Sequence, residues 1–203
     1  MYHHITSLGM SCSPFLNMER LGIKFTPSIF QQIATLDFQG MMRYLEAGCR
    51  GLYHTDRLKV EWSEERKHWW ITDERYGIST YHYFNVSNGR IGNLASVQNT
   101  VRELEDSFHK LLAEGVSCVG VRTKTSREEA QALHAWLSSH GTCQFDLCLI
   151  DRGDVKAVTK EDWGNGAYAY WFPQRVDRCE PWEGASAYWD VVFSDLTARM
   201  VER

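Results

Sequence analysis

Cys12 lies in the segment SLGMSCSPFLNMERLG, between a short apolar run and a helix-like stretch that opens with Pro14. A structural cysteine is usually buried inside an element, where it packs as a small apolar side chain. A reactive cysteine lies where backbone amides stabilise its thiolate, and the N-terminus of a helix is such a place. Cys12 is therefore a candidate nucleophile, with a packing thiol as the alternative interpretation.

A cysteine nucleophile needs a general base, which is most often a histidine. His82 lies in the segment ISTYHYF, whose alternation predicts a strand with Ile78, Thr80, His82 and Phe84 on one face. His82 is the candidate base for Cys12. A satisfied histidine in a packed strand is the alternative.

The second half of the chain alternates helical and strand-like segments. Apolar residues at helical spacing predict a helix at 97–112, and a capping box at Ser126 predicts a second helix. Buried strands are predicted at 116–122 and 144–150. Strand–helix–strand units of this length indicate neighbouring parallel strands, and we expect the turn with Cys12 at the same edge of their sheet.

Shorter segments predict the remaining elements, which are strands at 3–8, 154–158 and in pieces within 51–84, and helices at 14–21, 37–48 and 184–201. An aromatic segment lies at 167–172. Repeats, low-complexity runs and linkers are absent from the 203 residues. The pattern indicates one α/β domain over residues 1–203, with three layers: a largely parallel sheet and helices on both of its faces.

The N-terminal segment ITSLGMSCSPFLNMERLGIKFTPSIFQQI resembles the start of a bacterial family that is assigned as papain-like cysteine peptidases and is largely described as a domain of unknown function. Its members have a Ser-Leu-Gly segment before a cysteine, an arginine-bearing helix, a Leu-Gly pair, a Pro-Phe-Asp-Trp-like segment and a later His-Asp-Phe segment. The matching residues here are Ser7-Leu8-Gly9 with Cys12, Arg20, Leu21-Gly22, Phe30 to Ile33, His82-Tyr83-Phe84 and the strand end Val121-Arg122.

The resemblance implies a cysteine peptidase, or a related thiol hydrolase or acyltransferase, with Cys12 and His82 as its catalytic pair. Its substrate would be a peptide, an acyl compound or a glycan. The candidate substrate-binding residues are polar side chains in or beside the matched motifs, namely Ser11, Arg20, Tyr83 and Arg122.

Two positions depart from the family pattern, because Gln31 and Tyr83 stand where the family has aspartate. The third member of a catalytic triad holds the imidazole in the correct tautomer and angle, a task that an amide can perform. Gln31 is therefore a candidate catalytic residue, either for this task or as a donor to an oxyanion. Asp146 and Asp151, which flank a predicted strand end, are the acidic alternatives.

Composition and motifs argue against several other classes of function. The net charge of -4 and the pI near 6.1 do not fit a general nucleic-acid binder, and no apolar run approaches the roughly 20 residues of a membrane span. The start of the chain lacks the features of a secretory signal, and six irregularly spaced cysteines indicate reduced thiols in the cytoplasm.

Metal and cofactor sites are not expected. The spacing of Cys143 and Cys148 fits no compact zinc pair, and the glycine-rich phosphate-binding motifs do not occur.

Two further functions fit the same sequence. The first is a non-catalytic binding or interaction domain, and the second is a sugar-modifying α/β enzyme in which the cysteine is not the nucleophile. The Trp- and Tyr-rich segment 167–189 could stack on sugars or a peptide, and it would equally well fill a core. The oligomeric state cannot be derived from these patterns.

Overall fold

The central feature of the computed structural model, which describes residues 1–35, 37–65, 67–174 and 186–201, is a five-stranded sheet. Its strands are β1 (His4–Ser7), β7 (Ser117–Thr123), β8 (Gln144–Gly153), β9 (Thr159–Gly164) and β10 (Ala167–Pro173). They follow the order β1-β7-β8-β10-β9, in which β9 runs antiparallel to β10 and the other pairs are parallel. The prediction of a mostly parallel sheet, with 116–122 beside 144–150, is confirmed.

The segment between the two halves of the chain forms smaller sheets. The strands β2 (Leu58–Ser63), β3 (His68–Asp73) and β4 (Ile78–Thr80) make an antiparallel sheet, and β5 (Val86–Ser87) pairs with β6 (Arg90–Ile91). The alternation in ISTYHYF predicts a longer strand than is found. Because β4 ends at Thr80, His82 lies in the loop beyond the strand.

Five α-helices and one short 3₁₀ helix (Thr55–Arg57) occur in the described residues; the α-helices are α1 (Ser13–Arg20), α2 (Phe38–Glu46), α3 (Leu94–Ala113), α4 (Arg127–His140) and α5 (Ser186–Thr197). The predicted capping box at the start of α4 is present, since the Ser126 hydroxyl accepts a hydrogen bond from the backbone of Glu129 and the Glu129 carboxylate accepts one from the backbone of Ser126. The helix predicted at 184–201 ends earlier, and its predicted start lies outside the described residues, as does part of the aromatic segment 167–189.

The prediction of a strand at 154–158 is wrong. β8 continues to Gly153, and the next strand begins at Thr159. β9 pairs with β10 and not with β8, so the intervening residues must carry the chain past the end of β10. The apolar residues of 154–158 belong to this connection.

The two faces of the central sheet belong to different hydrophobic clusters. On β8, Leu147 and Leu149 pack in a cluster with apolar residues of α2, α3 and α4, whereas Cys148 and Ile150 pack in a cluster with residues of α1 and α5. The alternation follows from the two-residue period of a strand. Among the described residues, no helix has the length and apolar character needed to cross a membrane.

Candidate active site

Cys12 lies at the carboxyl end of β1, where a tight turn leads into α1. Gly9 and Met10 both have left-handed backbones, with φ of 78° and 66°. Cys12 is the N-cap residue of α1, and its carbonyl accepts a hydrogen bond of 3.0 Å from the backbone of Leu16. The turn therefore places the thiol at the N-terminus of a helix, as the sequence predicts.

A buried arginine holds this turn against the neighbouring strand. Arg122 on β7 is 1% exposed, and its Nη1 donates to the carbonyl of Leu8 at 2.8 Å and to Oγ1 of Thr35 at 2.7 Å. The same Thr35 oxygen accepts a hydrogen bond of 2.8 Å from the backbone of Met10. Burial lowers the pKa of Arg122 to about 10, so it is a cation at neutral pH. Arg122 thus contacts the base of the turn.

His82 reaches Cys12 from the loop that follows β4. Its Nε2 lies 3.4 Å from Sγ of Cys12. The loop is held by Thr80, whose Oγ1 accepts a 3.2 Å hydrogen bond from the backbone of His82 and donates one of 2.9 Å to the carbonyl of Gln32. The cysteine and the histidine singled out from the sequence are therefore within hydrogen-bond reach of each other.

His82 is suited to accept a proton. Partial burial, together with the nearby His68, lowers the pKa of His82 below its usual value near 6.5. The imidazole is therefore neutral at neutral pH, and its Nε2 can accept the thiol proton when Nδ1 carries the ring proton. Among the described residues, none forms a hydrogen bond with Nδ1, so the orienting third member of a triad is not found there.

Tyr81 is a second group beside the sulfur, and it was not singled out from the sequence. Its hydroxyl lies 3.6 Å from Sγ of Cys12. The Tyr81 ring stacks on His68 at a centroid distance of 4.2 Å, packs against His82 at 3.9 Å and meets the edge of Trp70 at 5.2 Å. His68, Trp70 and Tyr81 therefore form an aromatic cluster beside the Cys12–His82 pair, on the side of the small antiparallel sheet.

Cys12 and His82 line a cavity of about 110 Å³. It is lined by Met10, Ser11, Cys12, Gln32, Ile33, Ala34, Trp70, Thr80, Tyr81, His82 and Lys124. Within the described part of the chain, the lining includes one amino group, that of Lys124, and no carboxylate. The cavity therefore suits a small neutral or anionic group held next to the sulfur.

The lining includes Gln32 rather than its neighbour Gln31. The Gln31 side chain accepts a 3.3 Å hydrogen bond from the backbone of Ser28 and is not among the residues that line the cavity. Two adjacent glutamines occur in the sequence here, but the described residues between α1 and α2 form no helix or strand whose period would show which glutamine lines the cavity.

Ser11 is the one candidate substrate-binding residue that lines the cavity, where its hydroxyl lies 3.0 Å from that of Thr123. Arg20 lies outside the lining and forms a 2.5 Å ion pair with Asp190 of α5. Tyr83 has a buried hydroxyl that forms no hydrogen bond with a described residue.

The two acidic candidates lie elsewhere. Asp146 accepts a 2.7 Å hydrogen bond from the hydroxyl of Tyr2. Asp151 lines a separate, open groove with Trp163 and Trp171, which meets the cavity only at Lys124. The structure does not bring Asp146 or Asp151 into contact with His82.

The other described cysteines are buried away from the cavity. Cys49, Cys118, Cys143 and Cys148 are reduced and at most 3% exposed. Burial raises the pKa of Cys49 to about 12. Cys12 differs because its sulfur faces a cavity. Cys179 lies outside the described residues.

The arrangement can perform thiol nucleophilic chemistry, since a sulfur at a helix N-terminus contacts a neutral imidazole beside a cavity. A metal centre is not indicated, because the described residues contain no group of three or more His, Cys, Asp or Glu side chains that could hold an ion. No family model, curated protein or solved structure matches this chain.

Proposed function

We propose that the protein is a thiol hydrolase or acyltransferase of the papain-like peptidase type, with Cys12 as nucleophile and His82 as general base. The observation that carries the proposal is the 3.4 Å contact between Sγ of Cys12 and Nε2 of His82. The resemblance to the papain-like family also supports it, because Cys12 in the N-terminal segment and His82 in the later segment match the cysteine and histidine of that family.

In the proposed reaction, Nε2 of His82 takes the thiol proton while Sγ attacks a carbonyl carbon of a peptide, ester or thioester. The carbonyl electrons move to oxygen, and the oxyanion then collapses with loss of the leaving group, which receives the proton from His82. Water or a second nucleophile releases the acyl group from the sulfur. We assign the side-chain amide of Gln32 as a donor to the oxyanion, because Gln32 lines the same cavity as Cys12.

The proposal extends to the surroundings of the pair. Helices of both hydrophobic clusters would cover the central sheet in three layers, with the pair at the carboxyl edge of β1 and β7. A free thiol nucleophile also favours a reducing compartment such as the cytoplasm.

The first test is the rate of alkylation by iodoacetamide as a function of pH, with each cysteine followed by mass spectrometry. We expect Cys12 to react with a half-maximal rate below the pH of about 8.5 at which a free thiol ionises. His82→Ala should move this midpoint to higher pH. Cys49 and Cys148 provide internal controls because both are fully buried.

A matched control is His54→Ala, which removes an exposed histidine whose recorded ion pair is with Asp56. It should leave the alkylation of Cys12 unchanged. The proposal is contradicted if native Cys12 reacts no faster than Cys49, or if His82→Ala and His54→Ala give the same profile. The domain would then be better described as a binding module.

The second test is acyl-enzyme formation from p-nitrophenyl acetate. We expect a burst of nitrophenol, an acetyl group on Cys12, and loss of both in Cys12→Ala. Cys12→Ala should remain folded, because it removes one sulfur that borders a cavity. Acetylation at another residue would contradict the assignment of the nucleophile.

A further inference from the structure

We infer that Tyr81 is a catalytic residue whose hydroxyl donates a hydrogen bond to the Cys12 thiolate. The inference rests on the proposed function and adds a third group to the pair. The inference is based on two contacts with one sulfur atom. Oη of Tyr81 lies 3.6 Å from Sγ of Cys12, and Nε2 of His82 lies 3.4 Å from the same atom.

The direction of the hydrogen bond follows from where the proton goes. When Nε2 of His82 takes the thiol proton, the sulfur becomes an anion that can only accept hydrogen bonds. A phenol retains its proton at neutral pH, so the Tyr81 O–H donates to this anion. A hydrogen bond to an ionised acceptor is stronger than one to a neutral group, and Tyr81 therefore favours the thiolate over the thiol.

The sulfur electron pair then forms the bond to the substrate carbon, and Tyr81 keeps its own proton throughout.

Two aromatic side chains pack against the ring of Tyr81 and hold it in place. His68 stacks on it with an interplanar angle of 25°, and Trp70 meets it at 66°. Both partners lie on β3, so the small antiparallel sheet fixes the direction of the hydroxyl.

Tyr81 and His82 are consecutive residues that both reach one sulfur. Consecutive residues of a strand point to opposite faces, so this placement requires an irregular backbone. β4 ends at Thr80, immediately before the two residues. The end of the strand is thus what brings the hydroxyl and the imidazole to the same side.

The test is Tyr81→Phe, which keeps the ring and its stacking but removes the donor. In the iodoacetamide experiment, we expect the half-maximal rate for Cys12 to move to higher pH by about one unit, with about tenfold slower alkylation below the midpoint. The matched control is Tyr53→Phe, which removes a buried hydroxyl with no hydrogen-bond partner among the described residues. It should give the wild-type profile.

Circular dichroism and thermal unfolding show whether Tyr81→Phe is folded. If it is not, 3-fluorotyrosine at position 81 replaces it in the test. This residue is a stronger donor of nearly the same size, and it should move the midpoint to lower pH.

Two outcomes separate this inference from the proposed function. If His82→Ala changes the profile and the change at Tyr81 does not, the role of Tyr81 is refuted and the Cys12–His82 pair stands. If wild-type Cys12 is unreactive, the proposed function and the role of Tyr81 fail together.

Discussion

At the scale of single residues, the surroundings of each thiol decide its chemistry. Cys12 is 6% exposed, which is little more than the other described cysteines, yet its sulfur faces a cavity and contacts His82 and Tyr81. Cys148 lies inside the central sheet, where burial raises its pKa. Access to a cavity and hydrogen-bonding partners therefore distinguish the candidate nucleophile better than exposure does.

Gln32→Ala tests the oxyanion donor at this scale. Because Gln32 lines the same cavity as Cys12, loss of its proposed oxyanion donor should slow acetylation of Cys12 by p-nitrophenyl acetate by about 10²- to 10³-fold. Gln31→Ala is the neighbouring comparison and should have the milder effect, since the Gln31 side chain bonds to the backbone of Ser28. Stopped-flow measurement of the nitrophenol burst compares the two variants. A larger loss in Gln31→Ala would reverse the assignment.

At the scale of elements, the site depends on how the turn before α1 is tied to its neighbours. Thr35 comes from the segment between α1 and α2, and its hydroxyl accepts hydrogen bonds from Met10 of the turn and from Arg122 of β7. Gly9 and Met10 of this turn have left-handed backbones, and the hydrogen bonds to Thr35 connect the turn to two neighbouring segments.

Thr35→Val should therefore destabilise the protein. The substitution keeps the shape of the side chain but removes the acceptor of the half-buried Met10 N–H and of one N–H of the buried Arg122, at a cost of about 2–4 kcal/mol in the free energy of unfolding. Thr35→Ser keeps the oxygen and loses one methyl group, which costs about 1 kcal/mol. Urea denaturation measures both. Equal losses would show that the methyl group, rather than the hydroxyl, holds the turn.

Helix α2 approaches the loop after β3 so closely that one position must be glycine. A Cβ atom added to Gly40 would lie 1.8 Å from the carbonyl oxygen of Tyr76. Helix propensity alone would make Gly40→Ala stabilising by about 1 kcal/mol, but this overlap should reverse the sign and cost about 3 kcal/mol.

The exposed neighbour Gln39 provides the control, and Gln39→Ala should change stability by less than about 0.5 kcal/mol. Thermal unfolding of the two variants decides the matter. An unchanged or raised Tm for Gly40→Ala would mean that α2 does not pass this close to Tyr76.

At the scale of the whole molecule, a buried carboxyl group couples stability to pH. Glu105 on α3 is 1% exposed, and it accepts hydrogen bonds from the Tyr44 hydroxyl at 2.7 Å and from the backbone of Leu52 at 3.2 Å. Burial raises the pKa of Glu105, although these hydrogen bonds and Arg50 oppose the rise. The folded protein therefore holds a proton at pH values at which the unfolded chain has released it.

The sign of the effect follows from proton binding. Between the unfolded pKa of about 4.3 and the raised folded pKa, the native state binds more protons, so stability falls as pH rises. Glu105→Gln removes this contribution while keeping an acceptor for Tyr44. We expect the stability of the wild type relative to Glu105→Gln to decrease with rising pH across this window.

Urea denaturation at a series of pH values measures that difference, with the exposed Glu103→Gln as control. A difference that does not vary with pH would mean that Glu105 ionises equally in the folded and unfolded chains.

Local patterns of the sequence are enough to predict much of the architecture. Hydrophobic periodicity and the capping box at Ser126 predict α3, α4, β7 and β8, because these long elements are stabilised by one apolar face or a continuous apolar run. The position of Cys12 before a helix is likewise a local property. The short strand-like pieces are less well predicted, since His82 lies beyond the end of β4 and the predicted strand at 154–158 is a connection.

The sequence predicts the pairing of Cys12 with His82, but only the tertiary structure shows that Tyr81 and Gln32 belong to the same site. Tyr81 and Gln32 lie 69 and 20 positions further along the chain, in irregular segments with no period that would assign them a direction. Arg122 is a second example, because its match to a family motif predicts a substrate contact, whereas in the structure it is buried and donates to the carbonyl of Leu8 at the base of the turn. Local sequence determines where a helix or strand forms, whereas the meeting of distant loops depends on how all the elements pack together.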